Sequence, residues 1–150
     1  MILPPPLFDA EFAQRFDALL RWRRDVRHFA TQPVAEQDMA DLLAQAALAP
    51  SVGNAQPWRF VRLRTPALRE ALAAHVDEHN ALAARTYAGQ PRYDDYTALK
   101  LHGISEAPEL MAVFCDEQAL AGHRLGIATM PEMLRYSCVA AIQTLWLAAR

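Results

Sequence analysis

The segment "YSCVAAIQTLWLAAR", Tyr136 to Arg150, constrains this chain more than any other. Its composition is that of a helix, and it is apolar nearly all round, which marks a helix covered on several sides. The sequence predicts this helix from near Pro131 to Arg150. No glycine, asparagine or other C-cap closes it. Only two other segments read firmly as strands, and a two-stranded sheet is marginal by itself. A buried central helix needs more around it than that. The sequence therefore reads as a single domain over residues 1–150, incomplete at its C-terminal end.

The rest of the chain supplies layers for such a core. Pro4 to Pro6 end any leader. Asp9 can cap a helix with Phe12, Phe16, Leu19 and Leu20 at helical spacing. That helix runs into an arginine cluster. After Pro33 comes a helix of about 14 residues, with Met39, Leu42, Leu43, Ala46 and Ala47 on one face, stopped by Pro50. "RFVRL", Arg59 to Leu63, reads as a half-buried strand. Thr65-Pro66 starts a third helix, with proline in its first turn. "TYAGQPRYDDYTALKLHGISEAP" is long, polar and tyrosine-rich, the pattern of a mobile segment or lid. "ELMAVFCD", Glu109 to Asp116, is an apolar strand. "EQALAGHRLGIATMPEM" is a loop with two glycines.

Composition narrows the function. Hydrophobic residues make up 53% and charged residues 21%, a globular balance. The formal net charge of -2 gives no basic field for nucleic acid. Cys115 and Cys138 stand in apolar contexts without CxxC spacing, so they read as buried thiols of a reducing compartment. His75 and His79 are four apart on a predicted helix, but no third ligand accompanies them, so no metal site is expected. "MILPPPLFDAEF" has no basic n-region, and no apolar run reaches the ~18 residues of a membrane span. The expected place is the cytoplasm.

Two constellations could carry chemistry. In "RWRRDVRHF" the arginines Arg21, Arg23, Arg24 and Arg27 crowd around Asp25. Guanidiniums grip phosphate and carboxylate in fork geometry. Arg23, Arg24 and Arg27 are spaced so that a helical turn could present some of them together. Asp25 among them would stay ionised. A solvated helix end with salt bridges explains the run equally well. In "LAPSVGNAQPWRF" the side chains of Ser51, Asn54 and Gln56 offer donors and acceptors, and Gly53 lets backbone approach a ligand. A plain helix-to-strand connection is the other reading. Tyr93, Tyr96 and Lys100 could touch an aromatic or anionic ligand, and an ordinary surface segment accounts for them too. Ser137, on the last helix, could simply bond back to a carbonyl one turn earlier.

Together, "RRDVRHF", "APSVGNAQPWRF", "YTALKLHGISEAP", "VFCD" and "MPEMLRYSCVAAIQTLWLAAR", in that order, resemble the nitroreductase-like flavoproteins. Within them the match is closest to the 5,6-dimethylbenzimidazole synthase family of vitamin B12 biosynthesis. The resemblance covers most of Arg21 to Arg150. It implies an α+β fold, with helices flanking a mostly antiparallel sheet and FMN bound at a homodimer interface. It implies that Arg23, Arg24 and Arg27 hold the FMN phosphate. Ser51 would meet the phosphate–ribityl region, and Asn54 and Gln56 would lie near the flavin. Asp25 would be the catalytic base or proton relay, with Ser137 as its partner. The stretch holding Tyr93, Tyr96 and Lys100 would be the substrate lid. The reaction implied is fragmentation of reduced FMN by O2 to dimethylbenzimidazole.

The chain departs from that family in two places. His102 stands where the family has glutamate, and the family's C-terminal strand and arm, beyond "LWLAAR", are missing. Two other functions stay open. One is a generic FMN-dependent NAD(P)H reductase of quinones, nitroaromatics or halogenated phenols. The other is a non-enzymatic flavin-binding fragment. No GxGxxG dinucleotide fingerprint is present, so NAD(P)H would act directly at the flavin or through a separate reductase.

Overall fold

The structure, a computed structural model, describes residues 6–98, 103–119 and 121–150. Two strands form its sheet. β1 (Trp58–Arg62) pairs antiparallel with β2 (Met111–Cys115), in a register running from Trp58 opposite Cys115 to Arg62 opposite Met111. Alternation sorts their side chains, because successive residues of a strand face opposite ways. Trp58 and Phe60 turn to the core, whereas Arg59 and Val61 are exposed. Both strands thus begin within two residues of where the sequence places them.

The core forms where helices cover this sheet. α2 (Glu36–Ala46) packs along α6 (Met133–Ala148), and α6 packs on both strands. Ala49, Trp58, Cys138 and Ala141 make one buried cluster, bordered by Phe60, Val113 and Cys115. Ala55, Ala119, Ile127 and Leu134 make a second. α2 is shorter than expected, and Ala47, expected on its apolar face, is its exposed C-cap.

α1 (Ala10–Trp22) begins as expected, with the Phe12 N–H donating to Asp9 Oδ1 at 2.8 Å. Its apolar face is present but unburied. The Phe8 and Phe12 rings lie 4.8 Å apart, and Phe12 and Phe16 lie 6.2 Å apart. No residue of α1 is buried. α3 (Pro66–Ala84) starts at the expected proline. The tyrosine-rich stretch holds a 3-10 turn (Arg85–Tyr87) and two short helices, α4 (Tyr93–Thr97) and α5 (Gly103–Glu106). Lys100 and His102 lie outside the described residues.

α6 departs from expectation in its coverage. Leu134, Ser137, Cys138 and Ala141 are buried, but Tyr136, Val139 and Ile142 are 60%, 61% and 42% exposed. One face meets the sheet and α2, and the opposite face is open.

An ion cluster ties α2 to the sheet. The Arg62 guanidinium donates to Glu109 and, at 2.6 Å, to Glu36, and Arg64 reaches Glu36 at 2.8 Å. Arg62 holds both carboxyls below the usual value of 4.5. Carboxylates with lowered folded values stabilise the fold above their ordinary range and lose that contribution as pH falls through the lowered values. Arg62→Met is therefore expected to lower the Tm most at neutral pH. The gap from the unsubstituted chain should close below pH 4.5. A gap independent of pH would refute this account.

The thiols differ in setting. Cys138 is buried and Cys115 half-buried. Burial, then hydrogen bonding with the Cys115 thiol, pushes Cys138 up to about 12. Only thiolate is alkylated. Iodoacetamide at pH 8 should leave Cys138 intact in folded protein, and peptide mapping should find it labelled only after denaturation.

Candidate functional site

The loop joining α2 to β1 is wound tightly. A 3-10 turn, Val52–Asn54, follows Ser51. Gly53, Asn54 and Gln56 have φ of +52°, +54° and +45°. Left-handed backbone costs a non-glycine residue of order 1 kcal/mol, so it persists only where surroundings enforce it. Three hydrogen bonds hold it. The Gln56 N–H donates to Ser51 Oγ at 3.1 Å, and Gln56 Nε2 donates to Asn54 Oδ1 at 3.3 Å. The Val52 N–H donates to Ser137 Oγ at 3.1 Å. Asn54 and Gln56 remain exposed.

Ser137 is thus a tether. Its hydroxyl donates to the Met133 carbonyl at 2.6 Å while accepting from Val52, and the residue is 5% exposed. The back-bond one turn earlier was legible in the sequence, but the bond to Val52 was not.

A second loop presses on the first. The 3-10 turn Ala121–Arg124 carries Gly122, His123 and Arg124 at φ of +67°, +55° and +57°. A Cβ added to Gly53 would lie 2.5 Å from the Leu125 carbonyl oxygen. One added to Gly122 would lie 1.4 Å from the Gly53 carbonyl oxygen. The two backbones are in direct contact. The paired glycines of "AGHRLG" were the available signal for this.

The arginines are placed differently from the sequence expectation. α1 ends at Trp22, and Arg23 has ψ of 135°, so Arg23, Arg24 and Arg27 lie past the helix and not on a helical turn, while Arg21 stays in its last turn. Arg23 stacks over the Trp146 ring at 4.6 Å, and Arg150 stacks over Trp22 at 5.0 Å. The Arg24 guanidinium folds back onto the carbonyls of Arg21 and Arg23. Among the described residues, no carboxylate pairs with Arg23, Arg24 or Arg27. Asp25, in their midst, stands between two cavities. One, of about 400 Å³, is bordered by Asp25, Arg27, Phe29, Gly103 and Glu109. The other, of about 490 Å³, is bordered by Asp25, Phe29, Trp146 and Arg150.

One chain does not bring all candidate residues together. α6 meets the arginine segment at Trp146 and the loop at Ser137. Nine residues at about 1.5 Å rise each put about 14 Å between these points. Asp25 and Ser137, paired by the resemblance, sit at these separate ends. Tyr96 stacks on Tyr87 at 4.8 Å, and Tyr93 and Tyr96 border neither cavity.

Known proteins resemble this chain in sequence and in fold. A family model described as the Nitroreductase family matches residues 20–150. A 5,6-dimethylbenzimidazole synthase of Rhodospirillum rubrum is 57% identical over 145 residues, covering 97% of this chain and 68% of that protein. A Rhodobacter capsulatus protein of the same name is 46% identical, covering 95% of this chain and 69% of its own length. The chain spans about two-thirds of the length of these curated relatives. Among solved structures, oxidised iodotyrosine deiodinase bound to FMN and 3-iodo-L-tyrosine superposes with a TM-score of 0.71 at 26% identity, covering 88% of this chain and 67% of that one. A BluB-like flavoprotein from Clostridium difficile 630 superposes with a TM-score of 0.63 at 22% identity, covering 89% and 68%, a likeness of fold.

Proposed function

The chain belongs to the nitroreductase family, and from that we propose that it forms the FMN-binding part of an oxidoreductase that converts reduced FMN and O2 to 5,6-dimethylbenzimidazole. The observation that carries this reading is the 57% identity to the Rhodospirillum rubrum enzyme across nearly the whole chain. The residues fit the cofactor. Three guanidiniums that no carboxylate among the described residues pairs with suit a phosphate. An exposed amide pair on a preset loop suits a polar heterocycle. FMN, when bound and reduced, supplies the electrons for O2 and the ring system that becomes the product.

The chain's own groups would act around it. Arg23, Arg24 and Arg27 bind phosphate, and Arg23 leaves Trp146 to do so. Ser51, Asn54 and Gln56 hold the remainder. Asp25 accepts or relays the proton. Ser137 acts by fixing the loop, since its hydroxyl is already committed on both sides. Tyr93, Tyr96 and Lys100 serve the lid. A homodimer completes the site. The separation along α6 of its contacts with the arginine segment and the loop, about 14 Å by helical rise, and the open faces of α1 and α6, favour a second copy that brings the halves together. NAD(P)H is the electron source, directly or through a reductase. Among the described residues no helix is long and apolar enough to cross a membrane, and we place the protein in the cytoplasm.

The test is an aerobic incubation with reduced FMN, using this chain completed with the part of the Rhodospirillum rubrum relative that it does not cover. Mass spectrometry should find dimethylbenzimidazole. A yellow, FMN-loaded protein that forms none would sink the reading. The likeness to iodotyrosine deiodinase favours a second reading, reductive removal of halogen from phenols. Asp25→Ser should abolish benzimidazole formation in the first case and leave dehalogenation intact in the second.

A further inference from the structure

We propose that the loop 121–126 is the wall that sets the flavin-binding loop, with Gly122 as its positioning residue. This rests on the reading that Ser51, Asn54 and Gln56 contact FMN. Asn54 and Gln56 hold left-handed backbone, which relaxes unless neighbours forbid it. Two hydrogen bonds, to Ser137 and Ser51, anchor the loop. Backbone also closes on it. The Gly53 carbonyl occupies the space a Gly122 Cβ would need, and the Leu125 carbonyl occupies the space a Gly53 Cβ would need. Neither neighbour is a flexible side chain that could swing aside. The turn that presents Gly122 is itself left-handed at three successive residues, Gly122, His123 and Arg124. Two strained turns therefore hold each other. The result is that Asn54 and Gln56 stand side by side toward solvent before any ligand arrives. A ligand that finds its partners preset binds more tightly, because less ordering accompanies binding.

Gly122→Ala tests this against Gly89→Ala. Gly89 has a φ of +77°, but a Cβ there meets nothing within 4 Å. The control carries the dihedral cost without the collision. Amide hydrogen exchange, measured without FMN, should speed up about tenfold at Asn54 and Gln56 in Gly122→Ala. FMN titration by fluorescence quenching should show affinity about tenfold weaker. Gly89→Ala should leave exchange at Asn54 and Gln56 unchanged. If Gly122→Ala does not fold, Gly126→Ala carries the test, since its Cβ meets the Val52 Cγ2 at 3.1 Å. It should give a smaller change of the same sign in both readouts. Exchange in the folded variant no faster than in Gly89→Ala overturns the inference, as does faster exchange with unchanged FMN affinity. Failure of the unsubstituted, completed protein to bind FMN overturns the functional reading instead. The exchange comparison then still decides whether the wall sets the loop.

Discussion

Replacing Trp58 with alanine is expected to destabilise the chain by about 3–5 kcal/mol, in the range of buried aromatic truncations. Trp58 is 7% exposed and opens β1, opposite Cys115. It packs in one cluster with Ala49, Cys138 and Ala141. Those neighbours are small, so none can swing a long side chain into the space the indole leaves. Collapse would require moving α6 or the sheet itself. The cost then carries a cavity contribution on top of the lost burial. Domains keep only about 5–15 kcal/mol in all, so this single change removes a large share. Urea unfolding followed by circular dichroism measures it, with Trp58→Phe as the milder comparison. A loss below about 1 kcal/mol would contradict the core described here.

Asp25→Asn in the completed protein is expected to cut turnover about 10²–10⁴-fold, the usual worth of a positioned proton acceptor. The amide matches the carboxylate in size but accepts no proton near neutral pH. FMN affinity should hold or improve, because a negative charge leaves the arginine-rich segment that meets the phosphate. That opposite movement of binding and turnover separates a chemical role from a structural one. Unchanged turnover would place the proton elsewhere and favour the reductase reading.

What could be read from the sequence was what short stretches decide for themselves. The Asp9 cap, the Pro66 start and the two strands each depend on a few neighbouring residues, and each appears where expected. What could not be read depends on partners distant along the chain. α1 ends inside the arginine cluster, after Arg21, and its end is joined to the far end of the sequence by Arg23 stacking on Trp146 and Arg150 stacking on Trp22. Ser137 meets Val52 across 85 positions. The contact of Gly53 with Gly122 brings two separate loops together, and nothing within either loop announces the other. The candidate site follows the same division. Its residue types were visible, and the division of arginines and loop between opposite ends of α6 was not.

The uncovered faces of α1 and α6 also bear on the chain's life in a cell. Phe12, Phe16, Val139 and Ile142 present oily patches, and a net charge of -2 offers little mutual repulsion to keep copies dispersed. A newly made copy is therefore a substrate for chaperones and proteases for as long as those patches stay wet. Its abundance would be governed by how fast it finds cover, and so by how strongly the gene is expressed.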